Sequence, residues 1–325
     1  MHAAPATSST EPAAPWVAAV VQAAPCYLDL EASVDKAIDL IAHAARSGAR
    51  LVAFPELWLP GYPWWVWLAP AAWAADHGFD RRYAAQAMQY GTPAADRLAA
   101  AARAHRIMVV MGLAERDGDA LYIGQWLIDD SGRTVGRRRK LKPGPLERRV
   151  FAEGSGAGDL QVYPTAVGRV GALCCAEHRN PLFKYALHQQ NEEVHVAAWP
   201  SFSVRAFAAG LSADTYLALS RSYAAEGGCY VLAPCAPVDA ATRDLVCDTD
   251  EKAAQLGLGG GHAQVFAPNG DPLCTPLAPD AEGLLLATID PARIAGAKAA
   301  HDIAGHSARL DVVGLAWAHG TKERP

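Results

Sequence analysis

Residues 16–21 are apolar without a break, which is the length and character of a strand covered on both faces. The period then changes. Val34, Ala37, Ile38, Ile41 and Ala45 recur on one helical stripe, and Gly48 supplies a stop. Residues 51–54 read as a second buried strand that runs straight into Pro55-Glu56. The alternation continues downstream. Thr92 and Pro93 open a helix reaching about His105. Residues 107–113 and 122–128 are predicted strands, and the Asp129-Asp130-Ser131-Gly132 turn leads into a strand ending near Lys140. Further strands are predicted at 167–174, 194–198, 229–233 and 263–266, with helices at 181–189 and 214–226. Helices that alternate with buried strands, with hairpins inserted, define a layered α/β domain. No internal repeat or long linker divides it. Residues 1–15 read as a disordered leader, 16–312 as one domain and 313–325 as a C-terminal tail.

Composition narrows the partners. A chain of 325 residues, 51% of them hydrophobic, can bury a large core. Its net charge of −5 gives no electrostatic reason to expect nucleic acid or an anionic membrane. The basic run Arg137-Arg138-Arg139-Lys140 lies between apolar segments, so it reads as a mixed strand with a solvated face. No stretch has the uncharged length of a membrane span; residues 64–75 come nearest and are too short and too aromatic. Seven cysteines, at 26, 174, 175, 229, 235, 247 and 274, form no regular framework, and no secretory apolar segment precedes them. Free thiols in a reducing, cytoplasmic compartment are the expectation.

Three polar residues stand where the apolar pattern stops. Glu56 follows the second strand, Lys140 ends the hairpin strand, and Cys175 ends the strand beginning near Val167. The carboxyl ends of strands are where layered α/β folds bind ligands. Together the three make coherent chemistry: a thiolate attacks an electrophilic carbon, a carboxylate moves protons, and an ammonium stabilises developing negative charge. Taken singly, each has a plainer reading, since a free Cys at a strand end is usually a small core hydrophobe. This chemistry needs no cofactor and no metal, and the sequence holds no C-x-x-C or H-E-x-x-H. Gly259-Gly260-Gly261 precedes a strand and reads as a turn, not a phosphate cradle. Trp58, Trp64, Trp65 and Trp67 read mainly as packing, including at a subunit interface, with room for one or two to line an apolar pocket. Trp199 and Phe202 are similar candidates.

Phe54-Pro55-Glu56-Leu57-Trp58-Leu59-Pro60-Gly61-Tyr62-Pro63 resembles the first signature of the nitrilase superfamily. Arg138-Arg139-Lys140-Leu141-Lys142-Pro143, followed by Glu147-Arg148, is similar to the lysine segment of its true nitrilase branch of microbial type. Leu173-Cys174-Cys175-Ala176-Glu177-His178, then Asn180-Pro181-Leu182, is similar to the nucleophile segment, and residues 191–202 and 305–307 also match. The resemblance implies Glu56 as general base, Lys140 as cationic stabiliser and Cys175 as nucleophile. It implies Glu147 as a second site glutamate, with Tyr62, Ala176, Glu177, His178 and Trp199 as supporting or substrate-positioning residues. The implied fold is a four-layer αββα sandwich that pairs into an αββααββα dimer or a larger spiral. The implied activity is hydrolysis of a small-molecule nitrile to the acid and ammonia.

Two departures touch the pocket: Ala176 stands where a Trp normally follows the nucleophile, and Gly144-Pro145-Leu146 replaces a Thr-containing run. Losing that ring predicts room for bulkier, arylaliphatic nitriles, unless a neighbour fills the gap. Cys174 competes with Cys175, but the match to Cys-x-Glu-His selects Cys175. His178 invites a Cys–His reading, although a hydrogen-bonded support for the loop is preferred; His306 reads as a structural contact or a pocket-rim residue. The runner-up function is an amidase or N-carbamoyl amidohydrolase on the same fold. A third is a non-catalytic assembly protein.

Overall fold

A computed structural model describes residues 14–205 and 212–316. Most of the expected leader and tail, residues 1–13 and 317–325, therefore lies outside the described residues.

The strands in chain order are β1 (Trp16–Gln22), β2 (Ala49–Ala53), β3 (Met108–Asp117), β4 (Ala120–Ile128), β5 (Thr134–Arg139), β6 (Tyr163–Thr165), β7 (Gly168–Cys174), β8 (Val194–Ala198), β9 (Tyr230–Ala233), β10 (Gln264–Phe266) and β11 (Gly283–Ile289). They form two sheets, ordered β11-β1-β2-β3-β4-β5 and β10-β9-β8-β7-β6. The inner pairs β1-β2, β2-β3, β7-β8 and β8-β9 are parallel, and the flanking pairs are antiparallel. Parallel neighbours need crossovers. The helices Leu30–Arg46 and Pro93–His105 serve the first sheet; Pro181–His188 and Ala213–Gly227 serve the second.

Strand alternation builds the layers. Ala18 and Val20 of β1, with Leu51, Ala53 and Val110, join Val170, Val196, Leu232 and Val265 in a core between the sheets. Their neighbours Ala19 and Val21, with Val52 and Met111, face Val34, Ala37 and Ile41 of the first helix and Leu98 of the next. Leu187, Tyr216 and Tyr223 cover the outer face of the second sheet. The result is the expected four-layer αββα sandwich.

The differences have physical causes. β3 runs four residues past its apolar core because β4 continues to pair with it, down to Asp117 opposite Ala120. β11 is an edge strand that buries only Leu285, Ala287 and Ile289 and turns Leu286 out, so no continuous apolar run announces it. Thr92 precedes its helix, but its hydroxyl donates to the Gln89 carbonyl instead of capping. The solvated face expected for the basic run is corrected: only Arg137 is exposed, and the pleat of β5 buries Arg138 and, just beyond it, Lys140. The tryptophan cluster is packing: Trp58, Trp64 and Trp65 are buried within this chain, with Trp65 stacked on Phe79 and Trp58 edge-on to Phe54, while Trp67 is partly buried.

One glycine decides how closely the chain after β2 approaches β3. A Cβ on Gly112 would stand 1.8 Å from the Pro55 carbonyl oxygen, a backbone atom held in place by neighbouring hydrogen bonds. Gly112→Ala should therefore push residues 55–56 off β3 and cost about 3 kcal/mol or more, at the upper end of overpacking. A thermal melt within two degrees of wild type would show that this approach is not required.

Candidate active site

The three pattern-breaking residues converge between the sheets. Glu56 lies three residues past β2 and Leu57 after it has φ +52°; Cys175 directly follows β7 with φ +43°. Side-chain-bearing residues rarely adopt such angles, and they do so chiefly where the surroundings enforce a functional geometry. Lys140 lies one residue past β5, its N–H donating to the Ile123 carbonyl at 2.7 Å.

Lys140 Nζ sits between two carboxylates, 2.9 Å from Glu56 Oε1 and 2.8 Å from Glu147 Oε2, all three side chains being essentially buried. Glu147 also accepts from the Tyr62 hydroxyl at 2.9 Å and the Gly144 N–H at 2.5 Å, and Tyr62 accepts from Trp67 Nε1 at 3.1 Å. The departure at Gly144-Pro145-Leu146 thus still supplies a backbone donor to Glu147. Burial would raise Glu147, but the Lys140 ammonium and these donors hold it below the usual range. Glu56 goes the other way. Burial pushes it up to about 8, with Lys140 opposing and the Glu147 charge adding to the rise. Burial alone would lower Lys140, yet the two glutamates hold it well above its ordinary value. Glu56 Oε2 is left without a partner among the described residues.

Cys175 is buried, and burial and the Glu56 charge raise its thiol well above the ordinary range. Lys140 and the Ala176 backbone N–H act in the opposite sense, favouring the thiolate. Cys174 differs: it lies deeper, ends the strand, and has Arg138 Nη1 3.6 Å from its sulfur. Tyr62 and Glu56 also line a small cavity with Trp64, Pro200 and Ser201.

Glu177 holds the two strand ends together. It accepts from the Cys174 N–H at 2.8 Å, from the Leu141 N–H at 2.9 Å, and from Arg138 Nη2 at 2.8 Å on both oxygens. Arg138 also donates to the Asp159 carbonyl and Gln125 Oε1, at 3.0 and 2.7 Å, and to Cys174 Sγ at 3.6 Å. Trp199 ties in the third strand end, since its carbonyl accepts from the Glu56 N–H at 3.2 Å and its ring stacks on His178. His178 Nδ1 lies 2.8 Å from the Cys175 carbonyl oxygen, within the turn that carries the thiol.

The sequence from 17 to 299 matches the model of a family described as carbon-nitrogen hydrolase. The chain belongs to this family. It is 52% identical over 302 residues to a nitrilase of Pseudomonas syringae pv. syringae, covering 93% of this chain and 89% of that one. It is 44% identical to an aliphatic nitrilase of Rhodococcus rhodochrous, covering 91% and 78%, and 44% identical to an arylacetone-specific nitrilase of Alcaligenes faecalis, covering 94% and 85%. Among solved structures it resembles a branch 10 member of the nitrilase superfamily from Saccharomyces cerevisiae, with TM-score 0.70, 17% identity, and 93% and 100% of the chains covered. An amidase of Nesterenkonia sp. AN1 superposes with TM-score 0.61 at 20% identity, covering 87% and 94%.

In this carbon–nitrogen hydrolase Ala176, the residue after Cys175, is exposed. His306 is exposed on the C-terminal segment. The residues that sequence reasoning missed are Arg138, passed over as part of a solvated run, and Glu192 and His195, whose only signal is a pair of titratable groups at the entry to a buried strand. Replacing Glu177 with Gln leaves Arg138 buried and unpaired, so Glu177→Gln should cost about 3–5 kcal/mol in urea unfolding. A loss under 1 kcal/mol would mean that the junction contributes little.

Proposed function

We propose that this protein hydrolyses a small organic nitrile to the carboxylic acid and ammonia, with Cys175 as nucleophile, Glu56 as general acid–base and Lys140 as charge stabiliser. One observation carries the assignment: Lys140 anchors one oxygen of Glu56 and the other is unpartnered, beside a buried thiol on which Glu56 is the strongest charge. As Sγ attacks the nitrile carbon, Glu56 Oε2 takes the thiol proton and passes it to the nitrile nitrogen, giving a thioimidate. A water adds to the thioimidate carbon, losing one proton to Glu56, which passes it to the nitrogen to give a tetrahedral carbon bearing OH and NH2. Glu56 then moves the hydroxyl proton to that nitrogen as the C–N bond breaks, so ammonia leaves and a thioester remains on Cys175. A second water, activated the same way, releases the acid and restores the thiol. The Lys140 ammonium and the Ala176 N–H stabilise the negative charge that develops at each addition. Glu147 fixes Lys140 and keeps it charged.

The relatives that share 44–52% of the sequence are named nitrilases, which favours a nitrile over an amide; the amidase likeness carries the fold alone. The exposed Ala176, in place of a ring beside the nucleophile, supports a pocket that favours bulkier or arylaliphatic nitriles over the smallest ones. We further infer that residues 16–312 act as one unit, in the cytoplasm, as a homo-oligomer. Leu182, Val312 and Val313, 60%, 66% and 74% exposed, form an apolar face that supports self-association, and light scattering that shows only monomer would contradict it. No helix among the described residues is long and apolar enough to cross a membrane.

Ammonia release from paired nitriles and amides, small and arylaliphatic, tests the reaction. Wild type should turn over the nitriles; activity confined to amides or carbamoyl compounds would move the protein to the runner-up class. Cys175→Ala should abolish turnover and Cys174→Ala retain most of it. Lys140→Met and Glu56→Gln should each lose roughly 10²-fold or more. Because Glu56 must be ionised to accept the thiol proton, kcat/KM should climb as pH rises towards about 8, well above the ordinary carboxylate range. An acid limb near pH 4.5, or near-normal Glu56→Gln, would remove Glu56 from that role.

A further inference from the structure

Behind the nucleophile turn lies a buried file of polar side chains that the proposed chemistry does not use. His178 Nδ1 stands 2.8 Å from the Cys175 carbonyl oxygen, and His178 Nε2 stands 2.9 Å from His195 Nε2. His195 Nδ1 lies 2.7 Å from Glu192 Oε1, and the Tyr223 hydroxyl 2.6 Å from Glu192 Oε2. His178, His195, Glu192 and Tyr223 are all buried.

These contacts leave one arrangement of protons in which every group is neutral and every bond has one donor. A carbonyl oxygen only accepts, so His178 Nδ1 carries the hydrogen and its Nε2 accepts. His195 must then donate from Nε2 and accept at Nδ1. Glu192 Oε1 is therefore the hydroxyl of a carboxylic acid, and Tyr223 donates to the other oxygen. The surroundings favour this state. Burial holds both histidines well below their ordinary range and pushes Glu192 up to about 7. Of the groups that face Glu192, His188 is itself held down at about 4 by burial, and the Lys298 ammonium bonds to the Glu192 backbone carbonyl at 3.1 Å, not to its side chain. Glu226 is paired with Lys184, and burial keeps the Cys229 thiol protonated.

The file is also rigid. His178 stacks on Trp199 and His195 on Tyr223, with ring centroids 5.0 and 3.8 Å apart. On β7, a Cβ on Gly171 would lie 2.0 Å from Glu192 Oε1, so the nucleophile strand leaves room for this carboxyl at the one point where it is needed.

We infer that Glu192, His195 and His178 are positioning residues, a one-way chain of donors that grips the Cys175 carbonyl and so aims the Ala176 N–H at the reacting centre. A trans peptide is planar, and its C=O and N–H point in opposite directions. Holding the Cys175 oxygen from behind therefore fixes the direction of the Ala176 N–H, the group that already favours the thiolate. The chain of donors acts through that peptide and touches no substrate. The inference rests on the proposed role of Cys175.

The test uses the full-length protein and two substitutions, alone and combined. Glu192→Met keeps volume but removes the terminal donor. His178→Asn places an amide nitrogen where His178 Nδ1 stands, three bonds from Cα, and so can hold the carbonyl without the rest of the chain. Two readouts are taken below pH 7, where the Glu192 carboxyl keeps its proton: kcat and KM for ammonia release from a nitrile, and the rate of Cys175 alkylation by iodoacetamide, mapped by peptide mass. Glu192→Met should lower kcat and the alkylation rate about tenfold, the scale of one hydrogen bond to the reacting group, with KM changed by less than about threefold. His178→Asn should stay within about threefold of wild type in kcat, and adding Glu192→Met to it should cost nothing more. An equal tenfold loss in both backgrounds would mean general damage, and no loss in either would mean the file is inert; each overturns the inference. If Glu192→Met does not fold, Glu192→Gln decides instead. Its amide still donates to His195 and accepts from Tyr223, so it should be close to wild type, and a tenfold loss there overturns the inference. If wild type releases no ammonia from nitriles, the proposed function fails while the alkylation comparison still judges the donor chain.

Discussion

The geometry of the site depends on one buried carboxylate. Glu177 accepts from Arg138 in β5 and Leu141 just beyond it in one sheet, and from Cys174 at the end of β7 in the other. Lys140 and Cys175 are each adjacent in sequence to one of those contacts. Sheet-on-sheet packing by side chains alone leaves some freedom to slide, because apolar contacts are non-directional. Four charge-assisted or backbone hydrogen bonds from three residues to a single group remove it. The cost is a buried ion pair, which seldom adds net stability over an apolar core, so its use here is specificity of position.

Charge balance explains the rest of the electrostatics. Arg138 is matched by Glu177, and Lys140 by Glu147 with its two further donors. Those pairs are neutral overall. Glu56 is then the surplus acid, and ionising it adds one uncompensated negative charge to a dry site, which is why its carboxyl rises while that of Glu147 falls. The same surplus makes Glu56 fit for proton traffic near neutral pH. Two glutamates on one lysine differ in environment: Glu147 accepts from three donors, whereas one oxygen of Glu56 has no partner among the described residues.

Much of this was legible in the sequence, for physical reasons. Continuous apolar runs at β1, β2 and β3 announce strands covered on both faces, and Glu56 and Cys175 stand out because charge or a reactive thiol follows such a run. Arg138 was hidden by its own chemistry. A strand buries every second residue, so Arg138 and Lys140 share parity, but the pattern that marks burial is hydrophobic and a buried guanidinium counts against it. Glu192 and His195 are invisible for the same reason. β11 was missed because an edge strand alternates instead of running apolar, and the exposure of Ala176 depends on what its neighbours do, which no local pattern records.

The central claim is that carbon becomes covalently attached to Cys175 during turnover, and the adduct itself is the most direct thing to measure. Wild-type protein mixed with excess nitrile in ¹⁸O-labelled water, acid-quenched during steady-state turnover and digested, should show an acyl or thioimidate adduct on the peptide that contains the adjacent thiols. Fragmentation should place it on Cys175, and the acyl form should carry the heavy oxygen. An adduct on Cys174, or continued ammonia release with both sulfurs unmodified at every quench time, would contradict the account.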